Sequence, residues 1–328
     1  MKKSGKGIGL MFYGTGYGNG YPDISRAKAK IDTDGRFTIS SGACEVGQGA
    51  KTSLAQIPAE ILGILTEDVI FDHEDTKTTL DAGTCAASRQ TYNTGNAMKM
   101  ASESLKQILE NKAREILRFS EEENLIFENH EIFAEKDPSK RISFKEIARN
   151  SRVEDLEAEE VFQAVTTEMN EETGEGNPYW PYTFGACGVE VEVDTETGTL
   201  DISNAILVQD VGRAVNPKLI EGQMDGGFAM AQGYALLEDL NIVKGEIKHH
   251  NFTKYLIPTA LDAVEVKKII VEDPESSAPF GAKGIGEPVM IPVAPAILNA
   301  IYDAVGVRIT EIPVTPERLL KAIKEVKS

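Results

Sequence analysis

Near the C-terminal end a single carboxylate stands on a glycine-rich loop, Pro279-Phe280-Gly281-Ala282-Lys283-Gly284-Ile285-Gly286-Glu287-Pro288. Three glycines precede Glu287 and a proline follows it at once. Glycine permits positive φ and close backbone approach, and proline fixes the exit from a turn. A carboxylate held this way, just before a helical stretch, faces the positive end of a helix and suits work as a general base. The bland alternative is a solvated glutamate on a tight turn.

Three other stretches carry ligand-binding chemistry. In Gly42-Ala43-Cys44-Glu45-Val46-Gly47-Gln48-Gly49-Ala50-Lys51-Thr52 the chain passes from strand to helix. Gly47 and Gly49 leave backbone N–H groups uncovered at the helix start, an anion site, and Gln48 adds a donor and an acceptor. In Asp81 to Tyr92, small Ala86 and Ala87 let a bulky group come close. Ser88, Arg89, Gln90 and Thr91 then supply donors as a helix begins, which suits a phosphate or a polar heterocycle. An ordinary helix cap is the simpler reading of that stretch. The third follows Asp210-Val211-Gly212-Arg213-Ala214-Val215-Asn216-Pro217, a helix with Ile220, Gln223, Gly226, Gly227, Ala231 and Gln232. So many small and amide residues make a poor core former, so this helix is expected to pack closely on a partner or ligand.

Local patterns place these stretches. Ala27 to Ile31 alternates as a strand, Asp34-Gly35 signals a hairpin, and Arg36 to Ser40 returns. Leu54, Ile57, Ile61 and Leu65 follow helical spacing, with Pro58 expected to kink or shorten that helix. A strand is expected around Val69 to Phe71. A second helix carries Ala97, Ala101, Leu105, Ile108 and Leu109 and is expected to end near Arg118. Glu121 to Asn177 is acidic, with Glu157 to Glu160 read as solvated surface and a short helix at Phe144 to Ala148. Gly188 to Asp194 and Leu200 to Val208 are expected to form a hairpin. Ile291 to Ala304 is an apolar helix, and Thr315-Pro316-Glu317 caps a last one. The glycine-dense Gly14 to Gly20 is followed by Tyr21-Pro22-Asp23 and a strand, which is not the context of a dinucleotide-binding loop. His249 and His250 are adjacent and do not converge as a metal pair.

The fold class expected is α+β, with mixed sheets and packed helices in two subdomains, residues 1–176 and 177–328. The 328 residues carry a net charge of −18, from 52 acids against 34 bases. Such a balance argues against nucleic-acid binding, which rests on cationic neutralisation of phosphates. No apolar run of spanning length is expected, hence no membrane partner. Three scattered cysteines form no CxxC and no iron–sulfur or zinc spacing, which points to a reduced, cytoplasmic setting.

Taken in order, five pieces resemble one family. They are Glu45-Val46-Gly47-Gln48-Gly49, Ala86-Ala87-Ser88, Asp210-Val211-Gly212-Arg213 with Asn216-Pro217 and Gly222-Gln223, Lys283-Gly284-Ile285-Gly286-Glu287-Pro288, and Ile312-Pro313-Val314-Thr315-Pro316-Glu317. The chain resembles the C-terminal molybdopterin-binding region of the molybdenum hydroxylases, the xanthine dehydrogenase and aldehyde oxidase family. The resemblance implies a Mo-molybdopterin cofactor, with the cytosine dinucleotide as one form. It implies that Gly47, Gln48, Gly49 and the residues Ala86, Ala87, Ser88, Arg89, Gln90 and Thr91 line the cofactor, with the Ala87 backbone beside the metal. Gln223, Lys283 and Gly286 would complete that set. Glu287 would be the catalytic base in hydroxylating an electron-poor carbon of an N-heteroaromatic substrate, nicotinate or a purine such as xanthine, with water-derived oxygen.

The sequence shows no cysteine pattern for [2Fe-2S] clusters, no FAD fingerprint and no GGxFGGK loop. The resemblance therefore implies a split enzyme like the nicotinate dehydrogenases, with a larger molybdopterin subunit, an FAD subunit and an iron–sulfur subunit as partners. Pro58 departs from the alanine of the family pattern. A carbon monoxide dehydrogenase or acyl-CoA reductase type is an alternative enzyme, and a non-catalytic assembly protein is a third reading.

Overall fold

The computed structural model describes residues 1–18, 21–72 and 75–327. The end of the glycine-dense stretch, Asn19 and Gly20, lies outside the described residues. The chain forms two compact units that interleave in sequence: residues 1–14, 182–273 and 285–328 make the first, and 15–181 with 274–284 the second. A boundary at residue 176 lies near the crossing at Pro181–Tyr182. The opening strand and residues 274–284 each belong with the other half of the chain: the strand pairs with residues 182–194, and Ser277 is hydrogen-bonded to Tyr92 and Asn96.

Strand β1 (Lys2–Gly14) opens the first unit. Its inward residues are Gly5, Gly7, Gly9 and Met11, so the apolar side chains of its alternation, Ile8, Leu10 and Phe12, lie on the exposed face. The second unit then takes β2 (Ile24–Ile31), β3 (Phe37–Ser40), α1 (Ala50–Leu62), β4 (Ile70–Asp72) and α2 (Gly95–Leu117). It continues with β5 (Leu125–Glu128), β6 (Glu131–Ala134), β7 (Asp137–Ser143), α3 (Phe144–Arg149) and β8 (Glu157–Gln163). The first unit resumes with β9 (Tyr182–Asp194), β10 (Leu200–Asp210) and α4 (Pro217–Leu236). Its remainder is β11 (Ile242–Val243), β12 (Glu246–Ile247), β13 (Val266–Val271), α5 (Val293–Val305) and α6 (Pro316–Lys327).

In the second unit the main sheet runs β4-β3-β2-β8, with β5-β6-β7 as a separate antiparallel sheet. The Asp34-Gly35 hairpin forms as expected, with β2 and β3 antiparallel and Gly35 at φ 80°. Ala29, Ile31, Phe37 and Ile39 meet Leu54 and Ile57 of α1 and Ala97, Ala101, Leu105 and Leu109 of α2 in one buried core. Two expectations are corrected. Helix α1 runs unbroken through Pro58, although that residue has no N–H for the Leu54 carbonyl, because both side chains are held in the core. Leu65, placed on that helix by its spacing, lies beyond it and is 54% exposed. The acidic run Glu157 to Glu160 stays half-exposed, as a solvated surface should, and forms strand β8. Its acids answer the basic outer face of β2, with Glu157 2.8 Å from Lys28 and Glu159 3.9 Å from Arg26.

The first unit is built on the sheet β1-β9-β10-β13, antiparallel except for the parallel β10–β13 edge. Helix α5 lies directly on β1. A Cβ on Gly5, Gly7 or Gly9 would come within 2.3, 2.1 or 2.0 Å of the carbonyls of Ala300, Ala296 and Pro292. Two residues of strand span about 6.6 Å and four of helix about 6 Å, so glycine at every second strand position meets every fourth helix position. The stretch Pro288–Val305 is long and apolar enough to cross a membrane by length and composition, contrary to expectation, but 50% of it is buried inside this unit. Helix α4 is also a core helix on one face, where Ile220, Met224, Phe228, Ala231 and Ala235 are buried. Its small residues are divided: Gly227, Ala231, Gly233 and Ala235 are buried, while Gly222 and Gly226 are exposed.

Candidate functional site

The expected residues fall into two groups, one in each unit. Gly47, Gln48, Gly49, Ala86 to Thr91 and Lys283 belong to the second, and Gln223, Gly286 and Glu287 to the first.

In the second unit, Gly49 caps α1 at φ 80°, and Gly47 at φ 99° has open space where a side chain would stand. The amides near this helix start are not uncovered, as the glycines suggested. The Glu45 carboxylate accepts from Gly47 N at 2.7 Å, Gly49 N at 3.1 Å and Lys51 N at 2.9 Å. An internal anion therefore already occupies the cap. Gln48 is held as well: its Oε1 accepts from Val46 N at 2.7 Å, and its Nε2 donates to the Cys44 carbonyl at 2.9 Å. The same nitrogen lies 3.6 Å from Cys85 Sγ, joining this loop to the Ala86 to Thr91 stretch. Burial pushes the Cys85 thiol up, so it stays protonated at neutral pH.

Ala87 and Ser88 are consecutive left-handed residues, at φ 54° and 51°. Non-glycine residues hold such angles at a cost of about 1–3 kcal/mol each, so the surroundings must fix them. Gly16 N donates to the Ala87 carbonyl at 3.1 Å. Gly284 lies against the other carbonyl, and a Cβ there would sit 1.7 Å from the Ser88 oxygen. Gly284 is thus needed for close approach and not for positive φ; on that loop Phe280 and Gly281 take the left-handed angles.

Arg89 supplies the third restraint, and its expected role in ligand binding is corrected. It is 1% exposed and forms a buried ion pair through Nε with Asp23. Nη1 donates to Ala82 O at 2.5 Å and Thr84 O at 3.2 Å; Nη2 donates to Ile24 O at 2.6 Å and Ser25 Oγ at 3.2 Å. All five guanidinium donors are spent within the protein. Asp23 also accepts from Tyr17 N at 3.2 Å, tying the glycine-rich Thr15–Gly18 turn to the same anchor. Sequence reasoning misses Asp23 and that turn, since no local signal marks a pair 66 residues apart. Gln90 opens a π-helical turn, Gln90–Thr94, that leads into α2. Its Oε1 accepts from Thr94 Oγ1 at 2.6 Å, while its Nε2 is buried without a well-formed hydrogen bond, near the Cys85 thiol. Thr91 is half-buried and Lys283 is buried.

In the first unit Glu287 is exposed, and its carboxylate Oε2 accepts from Tyr13 Oη at 2.6 Å. The short 3₁₀ turn Pro288–Met290 follows, with no side-chain cap from Glu287. The carboxylate is therefore oriented by a strand tyrosine rather than by the helix end that the loop suggested. Pro288 and Val289 are buried and anchor the loop. Gly227 of α4 makes room for it: a Cβ there would lie 2.4 Å from Val289 Cγ2. Gln223 is half-buried one turn earlier on α4, so its helix and the Glu287 loop are joined through this contact. Gly222 and Gly226 have open space on α4.

With that geometry in view, the chain matches the model of the molybdopterin cofactor-binding domain over residues 1–264. It is similar to the xanthine dehydrogenase molybdenum-binding subunit of Escherichia coli O157:H7, 33% identical over 90% of this chain and 39% of the relative. The aldehyde oxidoreductase of Megalodesulfovibrio gigas is 32% identical over 98% of this chain and 32% of that protein. Among solved structures, quinoline 2-oxidoreductase from Pseudomonas putida 86 superposes with a TM-score of 0.85 at 28% identity, over 99% of this chain and 42% of that one. The chain belongs to the molybdopterin-binding region of the molybdenum hydroxylase family. It spans less than half the length of these relatives.

The residues present fit such a cofactor. A buried Gln90 amide donor lacking a well-formed bond, and left-handed Ala87 and Ser88 with small side chains, suit a large polar heterocycle.

Proposed function

We propose that this chain is the molybdopterin-binding subunit of a multi-subunit hydroxylase acting on an electron-poor carbon of an N-heteroaromatic compound such as nicotinate or a purine. The observation that carries this reading is Glu287, an exposed carboxylate on a buried-anchored loop, oriented by a hydrogen bond from Tyr13. The names of the relatives, a xanthine dehydrogenase molybdenum-binding subunit and a quinoline oxidoreductase, support the substrate class.

The loops at Gly47 to Gly49 and Ala86 to Ser88, with Gln90, Thr91, Gln223, Lys283 and Gly286, would hold Mo-molybdopterin, as such or as the cytosine dinucleotide. The Ala87 backbone would lie nearest the metal. When bound, that cofactor supplies two-electron redox chemistry. Glu287 accepts the proton released as the carbon is hydroxylated, a step worth about 10²–10⁴ in rate for a positioned base. Tyr13 fixes one carboxylate oxygen, which limits the orientations Glu287 samples before reaction. Arg89 works through the backbone it holds and not on substrate. A larger molybdopterin subunit, an FAD subunit and an iron–sulfur subunit would complete the enzyme in the cytoplasm.

Purification of the tagged chain from its native host, with metal and flavin analysis, tests this reading. Molybdenum, iron and flavin co-eluting with longer and smaller partner chains is the expected result. A metal-free, partner-free chain would contradict it.

A further inference from the structure

One face of the β1-β9-β10-β13 sheet carries α5, and the opposite face divides sharply along β1. In its first half Lys2 and Lys6 point outward and pair across the strands with Glu192 and Glu190. That is ordinary solvated surface. In its second half the same outward positions hold Ile8, Leu10 and Phe12, which are 66%, 74% and 63% exposed. Phe12 stacks on Tyr182 at 4.6 Å between ring centroids and meets Phe184 at 5.2 Å. The strand register continues the patch from Leu10 through Ala186 of β9 and Val208 of β10 to Ile269 of β13, while Ile206 pairs with the exposed Lys267 and Val271 with Asp210 at its margins. Phe184, Ile269 and Val271 are 54%, 39% and 41% exposed, so the apolar area crosses all four strands.

A contiguous apolar face of this width marks an interface. We propose that it is the docking surface for the longer polypeptide that supplies the rest of the relatives' length, through an apolar face of its own. The fold match takes in 99% of this chain but only 42% of the quinoline oxidoreductase chain, so more than half of such an enzyme has to pack somewhere against it. A second copy of this chain is disfavoured as occupant by its net charge of −18. The inference rests on the subunit reading above and adds where the subunits meet.

The test uses the assembled complex in its native host. Leu10→Glu is expected to cut recovery of the longer chain about tenfold or more, as a charge at the centre of an interface does, with the circular dichroism spectrum of the purified chain unchanged. Lys6→Glu, in the charged half of the same strand, is expected to leave recovery at the wild-type level. A photo-crosslinking amino acid at position 10 is expected to capture the longer chain. Capture of a second copy of this chain or of lipid, no capture at all, or wild-type recovery with Leu10→Glu would each overturn the docking surface. If the wild-type chain itself recovers neither molybdenum nor a longer partner, the functional reading fails instead. The two failures are therefore separable.

Discussion

Arg89 and Glu287 both stand on loops shaped by glycine, and both are charged groups in unusual surroundings. Their environments are opposite. Arg89 is buried, and five acceptors, among them the Asp23 carboxylate, satisfy all five of its donors. Glu287 is exposed and takes a hydrogen bond of 2.6 Å from Tyr13 Oη. A buried charge with every donor spent is scaffold, because any ligand contact would have to break bonds already made in a low dielectric. An exposed carboxylate aimed by a neighbouring hydroxyl keeps its capacity to exchange protons with something that arrives. The difference teaches that fixing a backbone and doing chemistry on it are divided here between separate residues on separate loops.

The contrast is sharpened by substitutions with graded effects. The largest is expected for Asp23→Ala, which leaves Arg89 buried without its counter-charge and removes the support of the Tyr17 amide. A loss of about 3–5 kcal/mol in chemical denaturation is expected. A loss under about 1 kcal/mol, the range of an exposed pair, would mean that Arg89 is not the anchor. Tyr13→Phe comes next. Removing a hydrogen bond to a charged group is worth about 1.5–3 kcal/mol, so kcat is expected to fall about tenfold to a hundredfold with molybdenum content and folding unchanged.

The smallest effect concerns a group away from both loops. Cys187 is fully buried in the first unit, and burial pushes its thiol up to about 12 from an ordinary 9.0. The unfolded chain loses this proton near pH 9 while the folded chain keeps it. The thiol's contribution is fully present below pH 9 and is lost as pH rises toward 12, at about 1.4 kcal/mol per pH unit. A Cys187→Ala variant should therefore show a shallower decline in stability over that window, measured by denaturation at stepped pH. An unchanged slope would place the thiol in contact with solvent.

Elements with local signals are legible in the sequence. The Asp34-Gly35 hairpin, the β9–β10 hairpin, the end of α2 at Arg118, the apolar α5 and the Thr315-Pro316 cap all stand where turn chemistry and periodicity put them. Strand β1 is not legible, because its inward positions are mostly glycines that fit α5, and its apolar alternation at Ile8, Leu10 and Phe12 marks the exposed face instead of the core. Strand β8 hides behind acids whose meaning depends on Lys28 and Arg26 more than a hundred residues earlier. At the candidate site the stretches themselves stand out, but their partners do not. Tyr13 and Glu287 are 274 residues apart, and neither marks the other in sequence. The role of Arg89 is hidden for the same reason: a sequence shows a donor without showing that its acceptors are internal.

The most direct test of the account is Glu287→Gln in the complete, native complex, with molybdenum content and turnover measured on the same preparation. The amide keeps the size of the side chain and its capacity to accept from Tyr13, and removes the carboxylate that takes up a proton. Wild-type molybdenum with turnover reduced by about a thousandfold or more on the heterocycle the wild type hydroxylates is the result expected for a positioned base. Turnover near the wild-type rate at full molybdenum content would remove Glu287 from the chemistry.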